Sequence, residues 1–326
     1  MTVSLSLALL VAAIVSLSMG SVIIRPSEVL GVFARRIGLS IGAEPSTLSE
    51  SVLWSIRFPR VLMGVVVGGG LALAGVVLQG VFRNPMADPQ LLGISAGASL
   101  GAVIGSAAGG AGSAIISGAV AGLLTALVIR RLGQRGADHP ARFVLTGVAL
   151  SVALSAWVGF VVFGADRTKV PPIEFWLLGS LAGSTWGTLG LVTGLVGLGG
   201  AILVSAARTL DLMALGESEA RHLGVDVDSV TTLLLIATGT VVGATVGGVG
   251  VIGFVGLLVP HLARFLTGPT HRPLITASLA AGGILVVLAD LSSRTVLAPI
   301  EIPVGLVTAL LGGPFFLWLI RPATRL

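Results

Sequence analysis

The side chains that could do chemistry in this chain are few, and their spacing suits contact better than catalysis. Four histidines (His139, His222, His261, His271) lie without an HExxH arrangement or a carboxylate cluster beside them, so the ligand set of a catalytic metal is missing. The single lysine, Lys169, follows Asp166, Arg167 and Thr168 with no glycine-rich cradle, and no GxxxxGK[ST] phosphate loop occurs. Such a chain cannot hydrolyse a nucleotide by itself. With no cysteine there is no disulfide, thiolate metal site or thiol nucleophile, and the redox compartment is not readable. Asp290 and Glu301 sit at the ends of apolar runs, which leaves no intramembrane acids for a proton relay. No paired nucleophile and base falls within those runs either, which disfavours an intramembrane enzyme; neither a catalytic nor a metal-binding residue is expected. What remains is arginine, above all Arg57 and Arg60 in RFPR and Arg294 in ADLSSR. An exposed guanidinium offers carboxylates a rigid bidentate fork and steers encounter at long range. The plainer alternative makes these interfacial residues whose stems lie on apolar surface, with Asp290 and Arg294 pairing at i, i+4.

The elements that must position these residues are membrane spans. The chain is 54% hydrophobic and 10% charged, with 47 glycines in 326 residues, and its mean hydropathy is +1.05. No soluble domain of this size could keep so little charge on its surface. A net charge of +5 would suggest nucleic acid in a soluble protein, but here the arginines end apolar runs and read as topology signals. The start, MTVSLSLALLVAAIVSLSMG, lacks the basic region of a cleaved signal peptide and is long enough to span. Between Gln79 and Gly105 the sequence QGVFRNPMADPQLLGISAGASLGAVIG sets a polar elbow (Arg83, Asn84, Pro85, Asp88, Pro89) between two apolar stretches. Backbone can turn and expose polar groups only where water or protein supplies partners, so the elbow marks a membrane face.

A bilayer core takes about 20 apolar residues per helix. On that measure ten spans are expected, near 3–24, 61–82, 91–109, 113–129, 143–163, 187–206, 230–247, 250–266, 274–291 and 304–320. An even number puts both termini on one side. One face would carry Arg83, Arg130, Arg131, Arg135, Arg142, Arg208, Arg221, Arg264, Arg272, Arg321 and Arg325, eleven basic residues. The other carries eight: Arg25, Arg35, Arg36, Arg57, Arg60, Arg167, Lys169 and Arg294. The excess places both termini in the cytoplasm. Gly93, Gly97, Gly101, Gly105 and Gly109 recur every four residues, a stripe against which another helix can press. Gly239, Gly243 and Gly247 repeat the device, and Gly147, Ser151, Ser155 and Gly159 form a small stripe that either packs a neighbour or lines a passage.

Seven motifs then occur in register: RFPR, the run from Gly75 into RNPMADPQLLGISAGA, FWLLGSL (175–181), LDLMALGESEARHLG (210–224), GVIGFVGLLVPHLAR (250–264), ADLSSR and EIPVGLVTALLGGPFF (301–316). From about residue 50 to the C-terminus they resemble the FecCD family of ABC importer permeases, which move ferric siderophores, haem or cobalamin. The resemblance implies an all-α, ten-helix permease of the type II ABC importer fold, one transmembrane domain over 1–326. It further implies a dimer with a second copy or a paralogue, two cytoplasmic ATPase subunits below, and a substrate-binding protein outside a bacterial cytoplasmic membrane. ATP and magnesium would belong to the ATPase subunits, leaving no cofactor in this chain.

By the same resemblance Arg57, Arg60 and Arg294 would dock the binding protein. The loop 210–228, with Leu215, Gly216, Glu217, Glu219, Arg221 and Gly224, would couple to the ATPases as two short helices with a turn, or else stand as an interfacial helix held by Glu217 and Arg221 at i, i+4. Gly147, Ser151 and Ser155 would wall the passage, while Arg83, Asn84, Asp88, His261 and Arg264 would serve structure. An iron chelate is the leading substrate class and cobalamin the second. Haem would pass without axial ligation, because the outward half has no histidine or tyrosine and only methionine remains as a usual ligand. An ion-driven secondary transporter would need the intramembrane acids that are missing.

Overall fold

The computed structural model describes residues 2–20, 23–36, 38, 46–134, 140–166 and 170–320. Among the charges counted for topology, Arg135, Arg167, Lys169, Arg321 and Arg325 lie outside the described residues, as do His139 and the side chain of Arg142. Every regular element among the described residues is helical. Helices α1 (Thr2–Ser18) and α2 (Pro26–Arg36) precede a continuous run of α3 (Thr47–Val52), a π-turn (Leu53–Arg57) and α4 (Phe58–Val81). After the elbow come α5 (Ile94–Gln134), α6 (Pro140–Gly164), the short α7 (Ile173–Leu178) and α8 (Trp186–Ser205). Two short helices, α9 (Ala207–Ala214) and α10 (Glu217–His222), lead into α11 (Val227–Val249), α12 (Val255–Thr267), α13 (His271–Thr295) and α14 (Val304–Ile320).

Six of these stretches are long and apolar enough to cross a bilayer, and α1, α12 and α14 are shorter apolar helices. Helix α5 does so twice, because Gly109 and Gly110 leave helical geometry (φ −156° and 76°) and fold its second arm back along the first. That makes ten apolar segments among the described residues, as expected, with shifted ends. The first stops at Ser18 and not near residue 24. The eighth starts at Val255 and not at 250, because Gly250 (φ 73°) and Phe254 (φ 66°) hold residues 250–254 out of the helix. Non-helical backbone survives at this depth only with protein partners. The Val251 N–H donates to the Trp176 carbonyl (3.3 Å), and the Ser180 N–H donates to that of Val249 (2.8 Å).

Close approach of backbones explains the glycine stripes. A methyl group on Gly101 or Gly105 would collide with Ser117 or Ser113 on the second arm of α5, so this stripe packs the helix on itself. A methyl group on Gly239 would lie 2.6 Å from the Gly122 carbonyl oxygen, and one on Gly243 would strike that of Gly118, so the second stripe presses α11 onto the same arm. In a bilayer, where apolar surface gains nothing by leaving lipid, such contact and its dispersion energy hold helices together. Helix α4 lies at the centre: 83% of the apolar stretch of Thr47–Val81 is buried, against 11% for that of α6. The chain therefore has two membrane faces. One carries α9 and α10 together with the elbow, and is called the loop face; the other carries the ends of α1 and α13.

Replacing Gly243 by alanine should destabilise the protein by about 1–3 kcal/mol, since backbone must move to admit the methyl group. Gly112→Ala, with no atom within 4 Å of the added carbon, should be neutral. Thermal unfolding in detergent measures both, and equal melting of the two variants would refute the packing account.

Candidate functional site

On the face opposite the loops, α1 ends at Ser18 and leaves its last carbonyls without intrahelical partners. Arginines supply the donors. Arg57 Nη1 donates to the Leu17 carbonyl at 2.6 Å, and Arg294 Nη1 donates to that of Met19 at 2.7 Å. Arg294 Nη2 donates to both the carbonyl and the Oγ of Ser16. Positive charge at a helix C-terminus is also favoured by the helix dipole. Arg294 approaches Asp290 Oδ2 at 3.4 Å, the i, i+4 pair expected from sequence. Asp290 is shared, because Arg60 Nε donates to its Oδ1 at 2.9 Å. Arg60 Nη1 and Nη2 reach the two oxygens of Glu301 at 3.2 and 3.0 Å. The cluster thus ties α1, the π-turn, α4, α13 and the segment before α14.

The exposed forks expected at Arg57, Arg60 and Arg294 are not found: Arg57 is 4% exposed, Arg60 6%, and the Arg294 side chain 8%. A charge at the edge of an apolar slab is more stable against internal oxygens than facing lipid. Glu301 alone remains substantially exposed, at 46% of its side chain.

On the loop face, α9 and α10 form a small folded unit. Met213, Ala220 and Val227 pack together beneath Val225 and Val230. Gly216 (φ 132°) turns the chain between the helices, where a side chain would strike the Glu219 carboxylate, and Gly224 (φ 86°) turns it out again. Polar contacts fasten the unit to the bundle, Arg83 to Glu217 (3.6 Å) and His271 Nδ1 to Asp211 (2.7 Å), while Arg130 pairs with Asp228 at the start of α11 (3.6 Å). The His271 backbone N–H also donates to Asp211 Oδ1 at 2.9 Å. The expected Glu217–Arg221 pair does not form. Arg221 instead reaches Asp228 at 2.7 Å, in the first turn of α11, where the carboxylate also meets the helix dipole. The Asp228 carboxylate raises the Arg221 pKa, and hydrogen bonds from Ser229 lower that of Asp226, the N-cap of α11. Leu215 and Leu223 project from the unit, 65% and 58% exposed.

Also on the loop face, the elbow is fixed from within. Asp88 is buried and accepts from the Gln90 N–H at 2.8 Å. Burial pushes its carboxyl up to about 6, against the opposite pull of the Gln90 and Leu91 N–H groups. Gln79 donates to the Gly256 carbonyl (3.2 Å) and accepts from Arg264 (3.3 Å), and Asn84 accepts from the Met86 N–H at 2.9 Å. The Ser151 hydroxyl donates to the Gln90 carbonyl at 3.2 Å, and a methyl on Gly147 would lie 2.8 Å from the Leu91 carbonyl oxygen. These two residues therefore pack α6 onto the elbow. The open face of α6 carries Leu145, Val152, Trp157, Phe160 and Phe163, while Ser155 is half-buried.

A model described as the FecCD transport family matches residues 8–322. The chain belongs to the FecCD transport family. Its relatives include the hemin transport system permease protein HmuU of Yersinia pestis, 38% identical over 87% of this chain and 88% of that protein. The cobalamin import system permease protein BtuC of Halobacterium salinarum is 41% identical over 84% of this chain and 74% of that one. An ABC transporter of the metal-chelate type, solved in an inward-facing conformation, superposes with a TM-score of 0.81 at 32% identity, covering 98% of both chains. PsaBC from Streptococcus pneumoniae, bound to a Fab, shares the fold at a TM-score of 0.61 and 20% identity, over 82% of this chain and 91% of that one.

In this FecCD chain the loop residues named from sequence converge in one unit, whereas the arginines and the α6 residues turn inward. Sequence reasoning missed Asp211 with His271, Arg83 with Glu217, and Leu223. Leu223 was detectable, since it flanks α10 as Leu215 does; the pairs were not, because their partners lie 60 and 134 residues away.

Removing Arg60 alone should cost about 3–5 kcal/mol, because Asp290 would lose its nearest cation while buried. Arg60→Ala with Asp290→Ala should melt closer to wild type than Arg60→Ala does, and unchanged melting of the single variant would show that the cluster carries no stability. Asp88 predicts a pH effect of definite sign. Its folded pKa near 6 exceeds the ordinary 3.8, so the folded state holds the proton more tightly. The stabilisation is complete below about pH 4 and is lost as pH rises through 6, on the order of 3 kcal/mol in all. Asp88→Asn keeps the acceptor for Gln90, so it should melt like wild type near pH 4 and above it at pH 7.5. A pH-independent difference would discard the assignment.

Proposed function

We propose that this chain is the membrane-spanning permease subunit of an ATP-driven importer for a metal chelate, with a ferric siderophore or haem as substrate. One observation carries the reading: a rigid two-helix unit, tied to the elbow, α11 and α13 by polar side-chain contacts, presents Leu215 and Leu223 to solvent on the loop face. Exposed apolar side chains on a braced element suit insertion into a cleft, and a packed element passes displacement on as a unit. The sequence offers no phosphate loop, so ATP and magnesium would be held by two ATPase subunits seated on that unit, and this chain would contribute no catalysis and no cofactor.

The loop face would then be cytoplasmic, with both termini on it, in a bacterial inner membrane. A binding protein would dock on the opposite face. There its carboxylates would compete with Asp290 and Glu301 for Arg60 and Arg294, while Arg57 holds the end of α1. The open face of α6 would meet a second permease chain and wall the passage between them, with Ser155 nearer to it than Gly147 or Ser151. The hemin relative and the metal-chelate neighbour support an iron chelate. The 41% identical cobalamin relative supports cobalamin as the second reading.

Proteoliposomes holding the permease, its ATPase and its binding protein should take up chelate with ATP and no ion gradient. Haem, ferric siderophore and cobalamin are supplied in turn on the binding protein, and the true substrate should be the one that raises ATP turnover. Uptake by the permease alone, driven by an ion gradient and indifferent to ATP, would sink the proposal.

A further inference from the structure

On the loop face, where α8 ends and α13 begins, a cavity of about 350 Å3 opens between the two helices. Its apolar lining is Val204, Ala207 and Ile275, and its charged lining is Arg208 and Arg272. Arg83, Arg130 and Arg221 on this face are matched by Glu217 and Asp228. Arg208 and Arg272 have no acid within ion-pair distance among the described residues, and the acid one turn along α9, Asp211, is held by His271. The hydroxyls of Ser205 and Thr276 at the rim donate to the carbonyls of Ile202 (2.8 Å) and Arg272 (3.1 Å), so the two guanidiniums are the cavity's free donors. The N-terminal end of α13 adds its partial positive charge.

We propose that this cavity binds the phosphate headgroup of an anionic phospholipid. Both helices are long and apolar enough to span, so their ends lie at the level of lipid phosphates. The exposed stripe Leu198, Ala201, Val204 and Ser205 runs down α8 to Arg208, which gives an acyl chain an apolar track leading to the paired cations. An acidic protein segment would use the arginines but would leave that track without purpose. A basic pocket between helix ends is the arrangement that recognises anionic headgroups. The inference requires only that the chain spans a bilayer, and holds whatever the chain transports.

The test uses the full-length permease, delipidated in detergent and followed by native mass spectrometry with cardiolipin, phosphatidylglycerol or phosphatidylcholine. The anionic lipids should be retained and phosphatidylcholine should not. Arg208→Gln with Arg272→Gln should weaken retention roughly 30-fold, given the attraction of each basic residue to an anionic surface. Lysine at both positions should restore part of it, and Arg131→Gln, an exposed arginine on the same face, should change nothing. Three outcomes would overturn the proposal. One is equal lipid retention by the double glutamine variant. Another is thermal stabilisation by millimolar inorganic phosphate equal to that by lipid, which would make the site one for a free anion. The third is unchanged lipid retention with loss of ATPase co-purification, which would make the pocket a protein contact.

Discussion

The carbonyl oxygens left over at the C-terminal end of α1 lie at the edge of the apolar slab, and the donors that satisfy them organise one whole face of the protein. A guanidinium is suited to this because its several N–H groups can cap a helix and hold a carboxylate at once. Arg294 does both, reaching Ser16 and Met19 on one side and Asp290 on the other. Asp290, once buried, needs a second cation, and Arg60 provides it. Arg60 in turn draws in Glu301 and with it the segment that enters α14. Each member is present because its neighbour would otherwise be an unpaired charge in a poorly solvated place. The apolar slab thus converts one helix end into a network in which direct partners stand as far as 278 residues apart in sequence.

That logic limits what the face can do. Arginines already spent on internal oxygens meet another protein only by exchange, one carboxylate for another, and the half-exposed Glu301 is the member most easily displaced. Exchange keeps the number of ion pairs constant, so docking could change the shape of the face without leaving a charge buried and bare. The contrast with the loop face is chemical. There the pairs are exposed and individually weak, and apolar surface is what stands free, at Leu215 and Leu223.

How much of this was legible in the sequence follows from the range of each interaction. Spans are local properties of composition, and ten apolar segments were foreseen. Glycine periodicity is local too, and two stripes pack helices as their four-residue spacing implied. The third was open between packing and passage: Gly147 and Ser151 seat α6 on the elbow, and periodicity alone does not say which face of a helix a neighbour takes. The arginines expected to stand exposed are buried. Asp290 with Arg294 is a four-residue relation, but Arg60 finds Asp290 across 230 residues, and only folding brings them together. In the loop, Arg221 lies four residues from Glu217 and yet pairs with Asp228, because a six-residue helix ends before its own register can compete with the next helix's N-terminus.

One element connects the two faces. Helix α13 runs for 25 residues, about 37 Å, with His271 on Asp211 at one end and Asp290 and Arg294 in the network at the other. Along its middle Gly282 presses on Gly68 of α4, backbone to backbone. A rod gripped at both ends and packed without slack between them cannot absorb a shift of α9 by bending locally; the shift must either break the Asp211 contact or be carried to the network. The contact has two hydrogen bonds to one carboxylate oxygen, one of them from the first N–H of the helix itself, so it grips backbone as well as side chain. Of the joints along this line, the network is the one whose partners are interchangeable, and motion that begins at the loop unit would therefore be expressed as an exchange of ion pairs around Arg60 and Arg294.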